Sequence, residues 1–294
     1  MKKFEKIKTV VFPVAGIGTR FLPATKSVAK ELIPILNRPL IEYAVEEAQS
    51  CGFEKFVFVL SEEKLQLTQH FQRNKRLENQ LRKKNSRLVD SISQYNIRNN
   101  KIFSVIQKQP LGLGHAIWCA REYIDGPFAV ILPDDLIFSK TPCIKQLVDQ
   151  YYKYGKSILG VQEVNKNQVN RYGIIKTTTN HLAKKIDIID LIEKPDFKIA
   201  PSNIAIIGRY VLTRNIIDEL SNKEKGSGGE IQLTDAIKNS LTFSEVFGYK
   251  FQGKRFDCGN MMGALEAQIY AAINRSENKR ETIKILKKYI KKDL

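Results

Sequence analysis

The apolar residues of this chain fall into two registers that alternate along its first half. Short continuous runs, Val10–Val14, Lys55–Leu60, Ile102–Ile106 and Phe128–Leu132, are separated by stretches in which apolar residues return at helical spacing. After Pro39 one such stretch carries Leu40, Ile41, Ala44, Val45 and Ala48 on one face and closes at Gly52. Proline in the first turn and glycine past the last are the usual boundary marks of a helix. A second helix is expected from about Leu113 to Tyr123, and a third after Pro142, with Ile144, Leu147, Val148 and Tyr151 on one stripe. Continuous runs bounded by turn residues read as strands buried on both faces, and strands alternating with helices of this length imply right-handed crossovers. The expectation is an α/β fold with a Rossmann-like, doubly wound, mostly parallel sheet.

Beyond the third helix the runs shorten. Ser157–Val161, Gly173–Lys176, Ile186–Ile192 and Ile204–Leu212 suggest a smaller, mixed extension of the sheet that closes over the first half. A glycine-rich loop, Gly226 to Gly229, precedes a helix over EIQLTDAI, and FDCGN at 256–260 opens another. The expected organisation is one domain over 1–275, its first half reaching about residue 140 and its second spanning 141–260, followed by a basic helix over 276–294. That helix carries Ile283, Leu286 and Ile290 on one stripe, which needs either the chain's own core or a second subunit to cover it.

Where the first strand ends, the chain enters a loop with Gly16, Gly18, Thr19 and Arg20, and Lys26 and Lys30 follow on a segment rich in proline (Pro23, Pro34, Pro39). A dinucleotide fingerprint would place a third glycine at position 21, which is Phe21, and a P-loop would need four residues between its glycines and a Lys-Ser/Thr after them. Neither template fits. What remains is a turn whose backbone N–H groups can approach an anion, followed by an extended segment that brings cations to the same polyphosphate. Ligands of such sheets collect beyond the carboxyl ends of the strands, so the residues past the other runs matter equally: Gln107 to Gly114 after the third, Asp134 and Asp135 after the fourth. The glycines of QPLGLGHA suit close approach to a flat base, and Asp134 with the distant Asp257 would suit a hard divalent cation.

Charge adds one competing idea. The chain holds 48 Lys and Arg against 31 Asp and Glu, a formal +17, concentrated in KKFEKIK at the start, RNKRLENQLRKKNSR at 73–87 and KILKKYIKK at 284–292. The middle segment has no aromatic residue between Phe71 and Tyr95, and Leu77, Leu81 and Leu88 sit near helical spacing. That is the pattern of an amphipathic helix with a solvated basic face rather than a nucleic-acid stripe, and a positive field also steers small anionic substrates. Cys51, Cys119, Cys143 and Cys258 form no C-x-x-C pair, and His70, His115 and His181 are dispersed, so no zinc site is expected. No apolar run approaches the ~20 residues of a membrane helix. A cytoplasmic protein with no membrane or nucleic-acid partner is expected.

The stretch GIGTRFLPATKSVAKELIPI resembles the signature of the sugar-1-phosphate nucleotidyltransferases, and its fuller form is similar to their bacterial uridylyl-transferring members. QPLGLGHA, AVILPDD, RYGIIK, IEKP, SNIAIIGRYVL, GEIQLTDAI and FDCGN follow in the family's order and span most of the chain. The resemblance implies transfer of uridylyl from UTP to glucose 1-phosphate with Mg2+, yielding UDP-glucose and pyrophosphate, by a homo-oligomer; thymidylyl transfer is the nearest rival. By resemblance the first half serves the nucleotide and the second the sugar. Arg20 and Lys30 are then catalytic, Ala15, Gly16, Gly18, Thr19, Lys26, Gln107, Gly112 and Asp135 face the nucleotide, Asp135 at the ribose or else from behind the metal ligands, and Asp134 and Asp257 hold the metal. Glu193 takes sugar hydroxyls, Lys194 the sugar's phosphate, and Gly173 offers backbone to the ring. The chain departs from the family at Ala29, where members commonly carry proline, which loosens the expected backbone before Lys30.

Overall fold

The computed structural model describes residues 4–94, 96–180, 182–275, 277 and 279–290. His181, Tyr95, Ser276 and the lysines at 2, 3, 291 and 292 lie outside them.

Four parallel strands form the first half: β1 (Thr9–Pro13), β2 (Lys55–Leu60), β3 (Ile102–Ile106) and β4 (Phe128–Ile131). They lie in the order β4-β1-β2-β3. The chain order therefore reverses between β1 and β4, and the crevice beyond their carboxyl ends is where a doubly wound sheet takes its ligand. Both faces are covered, as continuous apolar runs require. Val10 and Phe12 pack with helices α1 (Leu40–Gln49) and α5 (Cys143–Tyr154), while Val11 packs with α4 (Leu113–Cys119), α6 (Asn215–Ser221) and α7 (Leu233–Ser240). Between β2 and β3 lie α2 (Lys75–Lys84) and α3 (Ser86–Ser93).

The second half continues the same sheet in mixed sense, so the molecule is a mixed α/β protein around one ten-stranded sheet. Its strands are β6 (Ser157–Glu163), β7 (Gly173–Lys176), β8 (Lys185–Asp187), β9 (Asp190–Glu193), β10 (Ile204–Leu212) and β11 (Val246–Lys250). β10 runs antiparallel between β4 and β6, and β7 bridges β10 to β9. A separate antiparallel pair, β5 (Asp135–Phe138) with β12 (Lys254–Asp257), stands beyond the end of β4. Helices α8 (Met261–Asn274) and α9 (Lys279–Ile290) close the chain, α8 opening with the Asn260 side chain accepting from Gly263 N at 3.0 Å.

Several boundaries differ from the reading of the sequence, each for a local reason. The basic segment is two helices, because Asn85 leaves helical geometry and its side chain accepts from Arg87 N to start α3. The run Ile186–Ile192 is two strands on different partners, β8 beside β11 and β9 beside β7. The segment after the glycine loop is not extended: it winds into single 3-10 turns at Thr19–Phe21, Ala24–Lys26 and Lys30–Leu32, so each of its three cations sits on its own turn. Of the tail stripe, Ile283 and Leu286 are half-buried and Ile290 stays exposed.

Candidate active site

The glycine loop is built by its surroundings as much as by its glycines. Gly18 has φ +77°, a left-handed conformation that other residues reach only under strain, and its carbonyl accepts from Thr25 Oγ1 at 2.9 Å. Lys64, buried beneath the loop, donates to the carbonyls of Val14 at 2.9 Å and Gly16 at 2.5 Å and pairs with the buried Glu31 at 2.9 Å. Burial pushes the Glu31 carboxyl above its usual range, although Lys64 and Lys30 pull the other way. With both carbonyls held from below, the opposite side of the loop is free to present N–H groups. Neither Lys64 nor Glu31 stands out in the sequence, since Lys64 follows Glu62 and Glu63 and Glu31 follows Lys30, so nothing local marks them as a buried pair.

Two carboxylates meet beyond the sheet. Asp134 sits in the turn between β4 and β5, Asp257 ends β12, and Cys258 N donates to Asp134 O at 2.7 Å, locking the two turns together. A side chain at Gly259 would lie 3.0 Å from Asp257 Oδ1 and 3.2 Å from Asp134 Oδ2; the glycine keeps the space beside them open. Lys30 Nζ donates to Asp134 Oδ2 at 2.6 Å, and Arg171 donates to Asp257 Oδ2. Burial would raise the Asp134 carboxyl, but Lys30 outweighs it and holds it below the ordinary carboxylate range. Burial would likewise lower the Lys30 ammonium, yet Asp134 and Glu31 raise it. Both stay charged at neutral pH.

A cavity of about 180 Å³ opens beside these groups, and Arg20, Asp134, Asp257, Arg171, Gly173 and Glu193 all face it. Residues widely separated in sequence thus share one wall. Gly173 and Glu193 are cross-strand partners in β7 and β9, and Thr234 of α7 donates to Glu193 Oε2 at 2.6 Å. A side chain at Gly173 would come within 2.9 Å of Thr234 Oγ1 and 3.1 Å of Glu193 Oε2, crowding that part of the cavity. A second cavity, about 460 Å³, lies on the other side of the glycine loop against Ala15, Lys26, Lys64, Gln107 and Pro110. Gly16 has open space at its Cβ position, and Thr19 is exposed beside it.

Three of the expected site residues have partners within the protein that the sequence did not reveal. Asp135 lines the cavity, but both its oxygens already have partners: Oδ1 accepts from Arg255 at 2.6 and 2.5 Å and Oδ2 from Gly208 N at 2.6 Å, so it also anchors β10 and β12 at the cavity wall. Burial raises its carboxyl, with Arg255 opposing. On the side a Cβ would take, Gly112 abuts the GEIQLTDAI block: a side chain there would lie 2.7 Å from Glu230 Cβ, and at Gly114 2.7 Å from Ile231 O, while the Gly112 carbonyl accepts from Gln107 Nε2 at 3.1 Å. The glycines of QPLGLGHA let Ile231 pair with Leu111 and Gly114 through backbone bonds of 2.7 and 2.8 Å. Lys194, with φ +47°, folds its ammonium back onto Glu193 at 3.2 Å and is absent from the cavity wall. Arg171 stands there instead. It was passed over although the RYG block containing it was noted, because only the glycine of that block carried an expected role.

Among the described residues no group of three or more His, Cys, Asp and Glu side chains could hold a metal alone. Two adjacent carboxylates facing a phosphate-sized space are an oxygen donor set that suits a hard ion completing its shell with phosphate oxygens and water.

Comparison with known proteins gives a consistent picture. The model of the nucleotidyl transferase family matches residues 10–272. The chain is 44% identical over 285 residues to the UTP–glucose-1-phosphate uridylyltransferase 2 of Staphylococcus saprophyticus, covering 97% of this chain and 98% of the relative. A UTP-bound UGPase from Acinetobacter baumannii superposes with a TM-score of 0.87 at 36% identity, over 96% of this chain and 99% of that one. A UDP-glucose pyrophosphorylase in complex with UDP-glucose superposes at 0.81 with 40% identity, over 92% of this chain and 100% of that one.

Proposed function

The chain belongs to the nucleotidyl transferase family, and we infer that it transfers uridylyl from UTP to glucose 1-phosphate, giving UDP-glucose and pyrophosphate. The observation that carries the chemistry is the single cleft lined by Arg20, Asp134 and Asp257 on one side and Glu193 and Gly173 on the other, with Lys30 held on Asp134. A phosphate oxygen of the sugar attacks the α-phosphorus of UTP in line as pyrophosphate departs. No protein nucleophile is needed, so the residues act by alignment and charge.

In this reading the loop from Ala15 to Thr19 presents backbone N–H groups to the triphosphate, with Lys26 at the edge of the cavity that takes the nucleoside. Gln107 donates its amide to Gly112 O and contacts His115 Nδ1, and its side-chain carbonyl has no hydrogen bond among the described residues, which suits it to accept from N3–H of uracil. Lys30 lies nearest the reacting phosphorus, and Arg20 meets the leaving oxygens in a fork. Asp134 and Asp257 would hold Mg2+, which when bound supplies charge neutralisation at the phosphate oxygens. Glu193 accepts from two sugar hydroxyls, its oxygens oriented by Thr234 and Lys194. The four cysteines are free thiols, in keeping with work in the cytoplasm, and the proposal includes a homo-oligomer.

Pyrophosphate release measured over a matrix of triphosphates and sugar 1-phosphates tests the assignment. UTP with glucose 1-phosphate is expected to be the fastest pair, and turnover with dTTP but not UTP would replace uridylyl by thymidylyl transfer. Glu193→Gln removes one charged acceptor while keeping shape. It is expected to raise the KM for glucose 1-phosphate about tenfold, the loss of a charge-assisted hydrogen bond, with the KM for UTP unchanged.

A further inference from the structure

The two carboxylates that would share a metal are each occupied by a cation, and the two cations come from opposite halves of the molecule. Lys30, from the glycine-loop segment, holds Asp134, and Arg171, from the turn leading into β7, holds Asp257. The pairing balances charge locally, two negative groups against two positive ones. A divalent ion entering alone must compete with both cations, and any it displaces is left facing it. For an ion entering with a triphosphate, the phosphates supply new partners for whatever it displaces.

Arg171 is placed to make such an exchange. Its neighbour Tyr172 is fixed: Tyr172 O accepts from Lys194 N at 2.9 Å, and its hydroxyl accepts from Arg255 Nη1 at 3.3 Å. Arg255 is in turn held by the buried Asp135. The Arg171 side chain, by contrast, is 37% exposed and lies on the cavity wall between Asp257 and Gly173, where the phosphate of a sugar phosphate seated against Glu193 would come. The other second-half cations nearby are already engaged: Arg255, also on the wall, is held by the buried Asp135, and the Lys194 ammonium rests on Glu193 at 3.2 Å.

Building on the transferase reading, we propose that Arg171 is a placeholder cation: it holds Asp257 in the free enzyme, yields it to the metal that arrives with UTP, and then binds the phosphate of glucose 1-phosphate. A guanidinium suits both posts, since its planar fork matches carboxylate and phosphate alike.

Two measurements on the whole protein test this. In the absence of substrates, Mn2+ titrated against the enzyme and followed by the electron paramagnetic resonance of the free ion should bind about three- to thirtyfold more tightly to Arg171→Ala than to the unaltered protein, because a competing charge a few ångströms away is gone. In steady-state kinetics the same variant should raise the KM for glucose 1-phosphate about ten- to a hundredfold with the KM for UTP little changed, and Arg171→Lys should restore part of that loss. Unchanged or weaker Mn2+ binding, or an unchanged KM for the sugar phosphate, overturns the proposal. Absence of UDP-glucose formation by the unaltered protein would instead remove the transferase reading, and the Mn2+ result would still report on whether Arg171 guards Asp257.

Discussion

Arg20→Ala is expected to lower kcat by about a hundred- to a thousandfold while leaving the folded protein as stable as before. The magnitude is that of deleting one preorganised charge aimed at developing negative charge in a transition state. Stability is expected to be spared because Arg20 is exposed and makes no hydrogen bond or ion pair among the described residues. Its side chain lines the cavity described above. Lys30 would give a less readable result, since its removal also leaves Asp134 without its partner. Pyrophosphate release together with a thermal melt checks the prediction; a stable variant with full turnover would remove Arg20 from the chemistry.

Lys64→Met is expected to have the largest effect on stability, about 3 kcal/mol, and to lower the melting temperature by on the order of 10 °C. Glu31 is 1% exposed and would remain as a buried carboxylate without its direct partner, and the carbonyls of Val14 and Gly16 would lose their donor. The figure is placed at the low end for a broken buried pair because Lys30 also acts on Glu31. The deficit should depend on pH, with a sign that follows from the raised carboxyl. A carboxyl whose folded pKa exceeds its unfolded value binds more protons when folded, so its contribution to stability falls as pH rises between the two values. Without Lys64 that pKa climbs further, and the deficit should be larger at pH 8 than at pH 5, as read from urea unfolding at each. Adding Glu31→Gln should recover most of the stability but not the position of the loop, so the KM for UTP should stay raised in the double variant. Recovery of both would mean that the lysine serves the pair alone.

The strands and helices that frame the cleft were legible because their signal is local. β2 and β3 match their apolar runs at both ends, β1 is offset from its run by one residue, and α1 begins after a proline and stops before a glycine. The pieces that escaped notice carry little periodicity of their own. β5 and β12 are four residues each and exist because they pair with one another. β11 is held by β6 and β8, and the three 3-10 turns of the cation segment owe their shape to Thr25, Lys64 and Asp134.

By itself, the order of residues settled the alternating fold, the glycine loop at a strand's end, and which acidic and basic side chains were candidates for a phosphate site, because hydrophobic period and turn chemistry act over a few neighbours. Only the tertiary structure decided which of those charges are spent inside the protein and which face the ligand. Asp135 and Lys64 are committed to internal partners, Lys194 is turned onto its own neighbour, and Arg171 takes a place on the wall. That division depends on strand pairings between residues far apart in the chain, and no local pattern encodes the depth at which a charge will be buried.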